Sequence, residues 1–264
     1  MVPFIVYSES NQTSKNIADA LKGSWDFEES DAIGGFMHFK SDIVDMLAVT
    51  GSILETDFID EIITTDFVIF PCSHRSVKGI ASFTVHSEGN WSGEAKLGGK
   101  PKELAVAAPD RMLAVLKNMA GGNKTALPVI YEATHHGPLL NTPSFFVEVG
   151  GSPDALKSKA YAKFTAESIL TALDAKPQFK DCVLGIGGLH YSQKFTRIAL
   201  DAGRAFSHIM PKHYVAETDM LSKAIERSSI RVEKALIEWK SIKSLDRNNI
   251  ISELNKLGMD YERV

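Results

Sequence analysis

Two adjacent histidines, His135 and His136, stand in the stretch YEATHHGP behind the apolar lead-in LPVI. Imidazoles bind metal ions and move protons near neutral pH, so such a pair points to a reactive or metal-holding site. Neighbouring side chains on a plain strand face opposite ways. Gly137 and Pro138 end the strand, and a bend there would let both rings approach one cleft. Four further stretches repeat the pattern of an apolar run, reactive polar residues and a turn. They are VHSEGN (His86, Ser87, Glu88, Asn90), FVEVGGS (Glu148), GIGGLHYS (His190, Tyr191) and SHIMPKHY (His208, His213). A single histidine at a strand end is most often structural; the recurrence is what speaks for a site.

Two chemistries suit this residue set. Imidazoles with Glu148 or Glu88 can hold zinc, which lowers the pKa of water for attack on an ester. Alternatively, imidazoles and backbone N–H groups position substrate and water and stabilise an oxyanion without metal. Other catalytic signatures are missing: no GxSxG elbow, no HExxH, no Walker A and no G-x-G-x-x-G. Ser87 next to His86 makes a poor nucleophile pair, because adjacent side chains on an extended chain diverge. Lys194, Arg197, Arg204, Lys212 and His213 gather near the histidine stretches, and Arg75 and Lys78 follow another strand. Positive charge beside a hydrolytic site fits a phosphate-bearing substrate such as a tRNA end.

The elements that must position these groups read as α/β. PFIVYSES, IVDMLAVTGS and DFVIFPCS are apolar, β-rich and bounded by turn residues. QTSKNIADALKG forms a helix capped by Ser10 or Asn11 and stopped at Gly23. TDFIDEIITT predicts a short helix, and APDRMLAVLKNMAGGN a longer one with Pro109 in its first turn. ASFTVHSEGNW, ALPVIYEAT, SFFVEVGG and DCVLGIGGLHY add strands, and a helix is expected from about Asp154 to Leu173. In ETDMLSKAIERSSIRVEKALIEWKSIK, the residues Leu221, Ala224, Ile225, Val232, Ala235, Leu236 and Trp239 suggest an amphipathic helix. NIISELNKLG predicts a last helix before a polar tail. The expected fold is a mixed, mostly parallel sheet flanked by helices. A single domain over 1–264 is expected, with the C-terminal helices from about 216 packing on it.

Bulk properties narrow the function classes. With 44% hydrophobic and 23% charged residues, the 264-residue chain can bury a sizeable core. A formal net charge of −4 means that any polyanion must bind through a local basic patch. Cys72 and Cys182 are the two cysteines, so a disulfide scaffold is not expected. The N-terminal apolar run is too short for a signal peptide, and no run approaches the ~20 residues of a membrane span. A cytoplasmic protein is expected.

In that order, VHSEGN, YEATHHGP, PSFFVEVGGS, GIGGLHY and HIMPKHY resemble the D-aminoacyl-tRNA deacylases of the archaeal and plant type, over roughly residues 2–215. The pairing of THHGP with GGxHY is specific; Ser192–Gln193 departs from the family's Ala–Pro. The resemblance implies a fold similar to phosphorylases and peptidyl-tRNA hydrolases. It also implies hydrolysis of the ester joining a D-amino acid to the terminal adenosine of tRNA, by a zinc-dependent monomer. Carried onto this sequence, the catalytic candidates are His86, His135, His136 and His190. The metal candidates are His135, Glu148, His190 and His208. Ser87, Asn90, Thr134, Gly137, Gly188, Tyr191, Lys194 and Lys212 are the substrate-binding candidates. Discrimination against the L hand would come from collision with rigid backbone, such as Gly187–Gly188 or Gly137–Pro138. Two readings remain open beside it: a peptidyl-tRNA hydrolase-like or nucleoside phosphorylase-like enzyme, and a tRNA-binding protein without catalysis.

Overall fold

The computed structural model describes residues 1–74 and 79–264; Arg75 and Lys78 of the basic set lie outside the described residues. The strands are β1 Phe4–Ser8, β2 Glu28–Ile33, β3 Phe36–Lys40, β4 Asp45–Val49, β5 Val68–His74, β6 Ser82–His86 and β7 Gly89–Asn90. They continue with β8 Glu103–Leu104, β9 Val129–Tyr131, β10 Ser144–Gly150, β11 Cys182–Ile186, β12 Ala205–Met210, β13 Lys234–Ile237 and β14 Tyr261–Arg263. The helices are α1 Gln12–Ser24, α2 Ile59–Ile62, α3 Pro109–Gly122 and α4 Pro153–Lys157, then α5 Lys159–Asp174, α6 Gln193–Ala202, α7 Met220–Glu226 and α8 Ser244–Lys256.

Eight strands form a mixed sheet in the order β2-β3-β4-β1-β5-β10-β6-β9, and four form a second, all-parallel sheet, β12-β11-β13-β14. β1, β5, β10 and β11 are buried nearly throughout, so they read as continuous apolar runs, as strands covered on both faces do. One apolar core carries residues of both sheets: Ile69 and Phe145 from the first, Val183, Phe206 and Leu236 from the second. α1, α3 and α5 cover it with Ile17, Leu116 and Ile169. The opposite face of the large sheet packs Phe70 on Phe146, with ring centroids 5.0 Å apart. The far face of the small sheet is covered by Leu221 of α7 and by Ile250 and Leu254 of α8.

The seam between the sheets is hydrogen-bonded through the segment after β9. Ala133 N donates to the His190 carbonyl at 2.8 Å, Thr134 N to the Ile209 carbonyl at 3.0 Å, and Ser192 N back to the Tyr131 carbonyl at 2.9 Å.

Three expectations need correction. The amphipathic helix drawn through Leu221 to Trp239 ends at Glu226; Lys234–Ile237 instead enters the second sheet beside β11. That short run has three buried residues in succession, a pattern that a buried strand and a helix share. The polar tail supplies β14, which pairs with β13. The helix from Asp154 to Leu173 is two helices broken at Ser158, whose hydroxyl accepts from Tyr161 N to cap the second. Asn11 caps α1 by accepting from Ser14 N, as expected.

Candidate active site

Strand alternation places His74 of β5, His86 of β6 and Glu148 of β10 on one face of the large sheet, the face that also carries Phe70 and Phe146. Glu148 stands inside its strand rather than at its carboxyl end, so the reactive groups occupy a sheet face as well as strand ends. Its Oε2 lies 3.4 Å from His86 Nε2 and 3.5 Å from His74 Nδ1. The segment after β9 brings Glu132 over the same face, with Oε2 3.2 Å from His74 Nδ1 and 3.2 Å from His190 Nε2. His135 Nε2 is 3.7 Å from that same oxygen.

His136 has a φ of +46°, rare for a side chain with a Cβ. That left-handed residue is what turns the neighbouring rings toward each other, with centroids 4.3 Å apart. His86 lies 4.2 Å from His135 and 4.9 Å from His136, centroid to centroid. The bend thus aims both members of the pair at one cluster.

The other ring nitrogens set the tautomers. His86 Nδ1 lies 3.1 Å from the Ser87 carbonyl, His135 Nδ1 2.8 Å from Ala133 O, and His136 Nδ1 2.6 Å from Gly137 O. A carbonyl can only accept, so each Nδ1 carries hydrogen and a neutral ring keeps its lone pair on Nε2. Burial holds the His135 and His136 pKa values down, and the positive charge of His86 adds to this; His136 falls to about 3. Burial would depress His86 too, but the Glu148 carboxylate overrides it and lifts the ring to about 9. Burial acts to raise Glu148, yet His74 and His86 hold it well below the usual carboxylate range.

Glu132 Oε1 and Oε2, Glu148 Oε2, His86 Nε2 and the Tyr191 hydroxyl are buried without aligned hydrogen-bond partners among the described residues. Buried carboxylate oxygens left so are costly, and their convergence with imidazole Nε2 atoms suits a bound cation. His74, Glu132, His135 and His190 lie close enough to share one ion. So do His86, His135 and His136, and likewise His86, Glu132 and Glu148. A nitrogen and oxygen donor set with backbone carbonyls behind the rings is the pattern of zinc ligation.

Of the residues singled out in the sequence, His86, His135, His136, Glu148 and His190 come together here. His208 does not: it is fully buried with Nε2 3.2 Å from the Ala105 carbonyl, beside the Trp91 ring and outside these groups. Ser87 pairs its hydroxyl with that of Thr134 at 2.8 Å, and both are buried. Asn90, Trp91, Thr134, His135, His136 and Tyr214 line a pocket of about 210 Å³ against the cluster. Gly137 packs on the Gly98–Gly99 backbone. Gly188, with φ +79°, donates its N–H to Ser241 Oγ, and Lys212 N donates to the Gly188 carbonyl. Tyr191 flanks His74 and His190 with ring centroids 5.6 and 5.5 Å away. Lys194 is half-buried on α6. Glu88 is fully buried, its backbone bridged to His135 but its carboxyl outside the groups close enough to share an ion, and burial pushes that carboxyl up to about 8. Arg204 is taken up by Glu262 and Asp181.

Sequence reasoning missed His74 and Glu132. Both had a signal: His74 ends an apolar strand as the other histidines do, and Glu132 sits inside YEATHHGP itself.

The model of the family described as D-aminoacyl-tRNA deacylase matches residues 62–262, well over half of the chain. The chain belongs to that family. A D-aminoacyl-tRNA deacylase of Pyrococcus furiosus is 33% identical over 97% of this chain and 98% of its own length. That of Methanocaldococcus jannaschii is 31% identical over 98% of each. A crystal structure described as a conserved protein of unknown function superposes with a TM-score of 0.93 at 30% identity, covering 99% of this chain and 95% of that one. Among the described residues, no helix of this family member is long and apolar enough to cross a membrane.

Proposed function

We propose that the protein hydrolyses the ester bond of D-aminoacyl-tRNA, releasing a free D-amino acid and tRNA. The observation that carries this reading, beside family membership, is the convergence of imidazole Nε2 atoms and orphaned carboxylates beside a pocket sized for one small group. His74, Glu132, His135 and His190 are the residues proposed to hold zinc, with His86 and Glu148 as the adjoining pair. When bound, zinc supplies Lewis acidity toward an ester carbonyl and makes water more acidic.

The chain's own groups do the rest. His136 faces the pocket with its Nδ1–H committed to the Gly137 carbonyl, leaving Nε2 to accept a hydrogen bond from the attacking water. His135, its Nδ1–H committed to the Ala133 carbonyl, would give its Nε2 to the metal. Glu148 orients His86 and His74 through its Oε2. Asn90 and Thr134 line the pocket and position the aminoacyl end, while Tyr191 offers an uncommitted hydroxyl beside the rings. Rigid backbone at Gly137–Pro138 excludes the L side chain by collision. The protein acts as a cytoplasmic monomer, with residues 1–264 forming one unit.

The test is a deacylation time course on matched D- and L-tyrosyl-tRNA, with and without chelator. Loss of the D ester alone, abolished by chelation and restored by zinc, is the expected result. Equal turnover of both hands ends the chiral reading, and full activity in metal-free protein ends the zinc reading.

A further inference from the structure

All four strands of the second sheet run parallel, so their carboxyl ends share one edge. His190 leaves that edge after β11. Next to it stand Lys212 after β12, Lys240 and Lys243 after β13, and Arg263 at the end of β14. Arg247 of α8 joins them: its guanidinium lies 4.6 Å from the Trp239 ring centroid and that of Arg263 3.9 Å from the same ring. Arg247 Nη1 also donates to the Trp239 carbonyl at 3.3 Å. One aromatic ring thus fixes two cations beside the lysines.

The gathering of five cations at one end of a parallel sheet is what marks this edge. Several cations elsewhere are consumed within the fold, among them Lys102 by Glu217 and Asp219, Lys223 by Glu103, and Arg204 and Lys234 by Glu262. Among the described residues, Lys212, Lys240, Lys243, Arg247 and Arg263 have no carboxylate partner within ion-pair distance, and all but the half-buried Arg247 are exposed. Glu238 and Asp246 are the acids in this stretch. In a chain of net charge −4, such an edge is a local positive surface against an otherwise repelling field.

The edge is also tied to the catalytic cluster. Gly188 N donates to Ser241 Oγ at 2.8 Å, and Lys212 N to Gly188 O at 3.0 Å, two residues before His190. We propose that this edge, formed by Lys212, Lys240, Lys243, Arg247 and Arg263, binds the sugar–phosphate backbone of the tRNA acceptor stem and delivers its aminoacylated end to the histidines. The proposal rests on the deacylase reading. A polyanion gripped at several phosphates suits it, since such contacts position the ligand without reading bases.

The test uses the full chain with Lys240→Glu/Lys243→Glu, at exposed positions outside the catalytic cluster. KM for D-tyrosyl-tRNA is expected to rise on the order of ten-fold with kcat unchanged. The salt dependence of uncharged tRNA binding, followed by fluorescence anisotropy, should lose about two units of log–log slope. Turnover of D-tyrosyl-adenosine, which has no acceptor stem, should stay at the wild-type rate, and Lys240→Arg/Lys243→Arg should retain wild-type KM. An unchanged KM and salt slope would overturn the proposal. So would a parallel fall on D-tyrosyl-adenosine, which would make the edge a support of the cluster instead. If wild-type protein leaves D-tyrosyl-tRNA intact, the deacylase reading fails, while the anisotropy measurement still decides the surface.

Discussion

Glu132 Oε2 lies 3.2 Å from His74 Nδ1, joining the end of β5 to the segment after β9 across the face of the large sheet. Glu132 is fully buried and both its oxygens lack aligned hydrogen-bond partners among the described residues. A buried carboxylate there is costly unless a positive charge compensates it.

Glu132→Gln keeps the shape and removes the charge. Bound zinc and D-aminoacyl-tRNA turnover should fall together, kcat/KM by about 100-fold or more, a loss at or beyond the upper end seen for metal-site partners. Metal content by elemental analysis, set beside the deacylation rate, checks it; retained metal with retained rate would remove Glu132 from the site.

His208 and His190 should behave oppositely. His208 is fully buried and satisfies the Ala105 carbonyl, so His208→Ala should cost about 2–4 kcal/mol of stability while metal content persists. His190, with 43% of its side chain exposed, should lose metal and activity on replacement by alanine with little change in the urea midpoint. Urea titration and metal analysis on both variants separate the two roles.

Gly137 should tolerate no larger residue. A Cβ at that position would meet the backbone of Gly98, Gly99 and Leu54, which cannot rotate aside. Gly137→Ala should therefore cost about 1–3 kcal/mol and displace the adjacent histidine pair. A melting curve together with the D/L turnover ratio reads both effects, and wild-type values for each would refute this.

Acid stability should depend on Glu262. The Arg204 guanidinium and the Lys234 ammonium hold its carboxyl down at about 2, below the roughly 4.3 of a free glutamate. A depressed carboxyl stabilises the fold above its unfolded pKa, and that contribution fades as pH falls from about 4.3 toward 2. The Tm difference between wild type and Glu262→Gln should be largest near pH 6 and shrink below pH 4. A difference independent of pH would show that the pair contributes no charge interaction.

Much of this architecture is legible in the residues, and the failures have physical causes. The strand at Phe4–Ser8 and the helix capped by Asn11 follow from local patterns, because their apolar spacing and cap chemistry agree. The hairpin of β2 and β3 escapes notice because EESDAI is polar on both faces; its turn uses Gly34 and Gly35, both at positive φ. Lys234–Ile237 reads as helix because its strand character comes from a partner, β11, far away in the chain. His135, His136 and His190 stand out by motif, whereas the weaker signals at His74 and Glu132 join up only when the sheet brings β5 beneath the β9 segment. His208 shares the flanking pattern of the other histidines, yet the structure sets it against the Ala105 carbonyl, outside the groups close enough to share an ion.

The Ala133 and Thr134 amides cross from one sheet to the other within three residues of His136. The stretch that carries Glu132, His135 and His136 is therefore also the clasp that keeps the two sheets together. Opening the clasp would scatter His135 and His190, so the enzyme cannot breathe along this line and stay assembled. Slow hydrogen–deuterium exchange at those two amides would thus report, residue by residue, the integrity of the histidine–glutamate cluster.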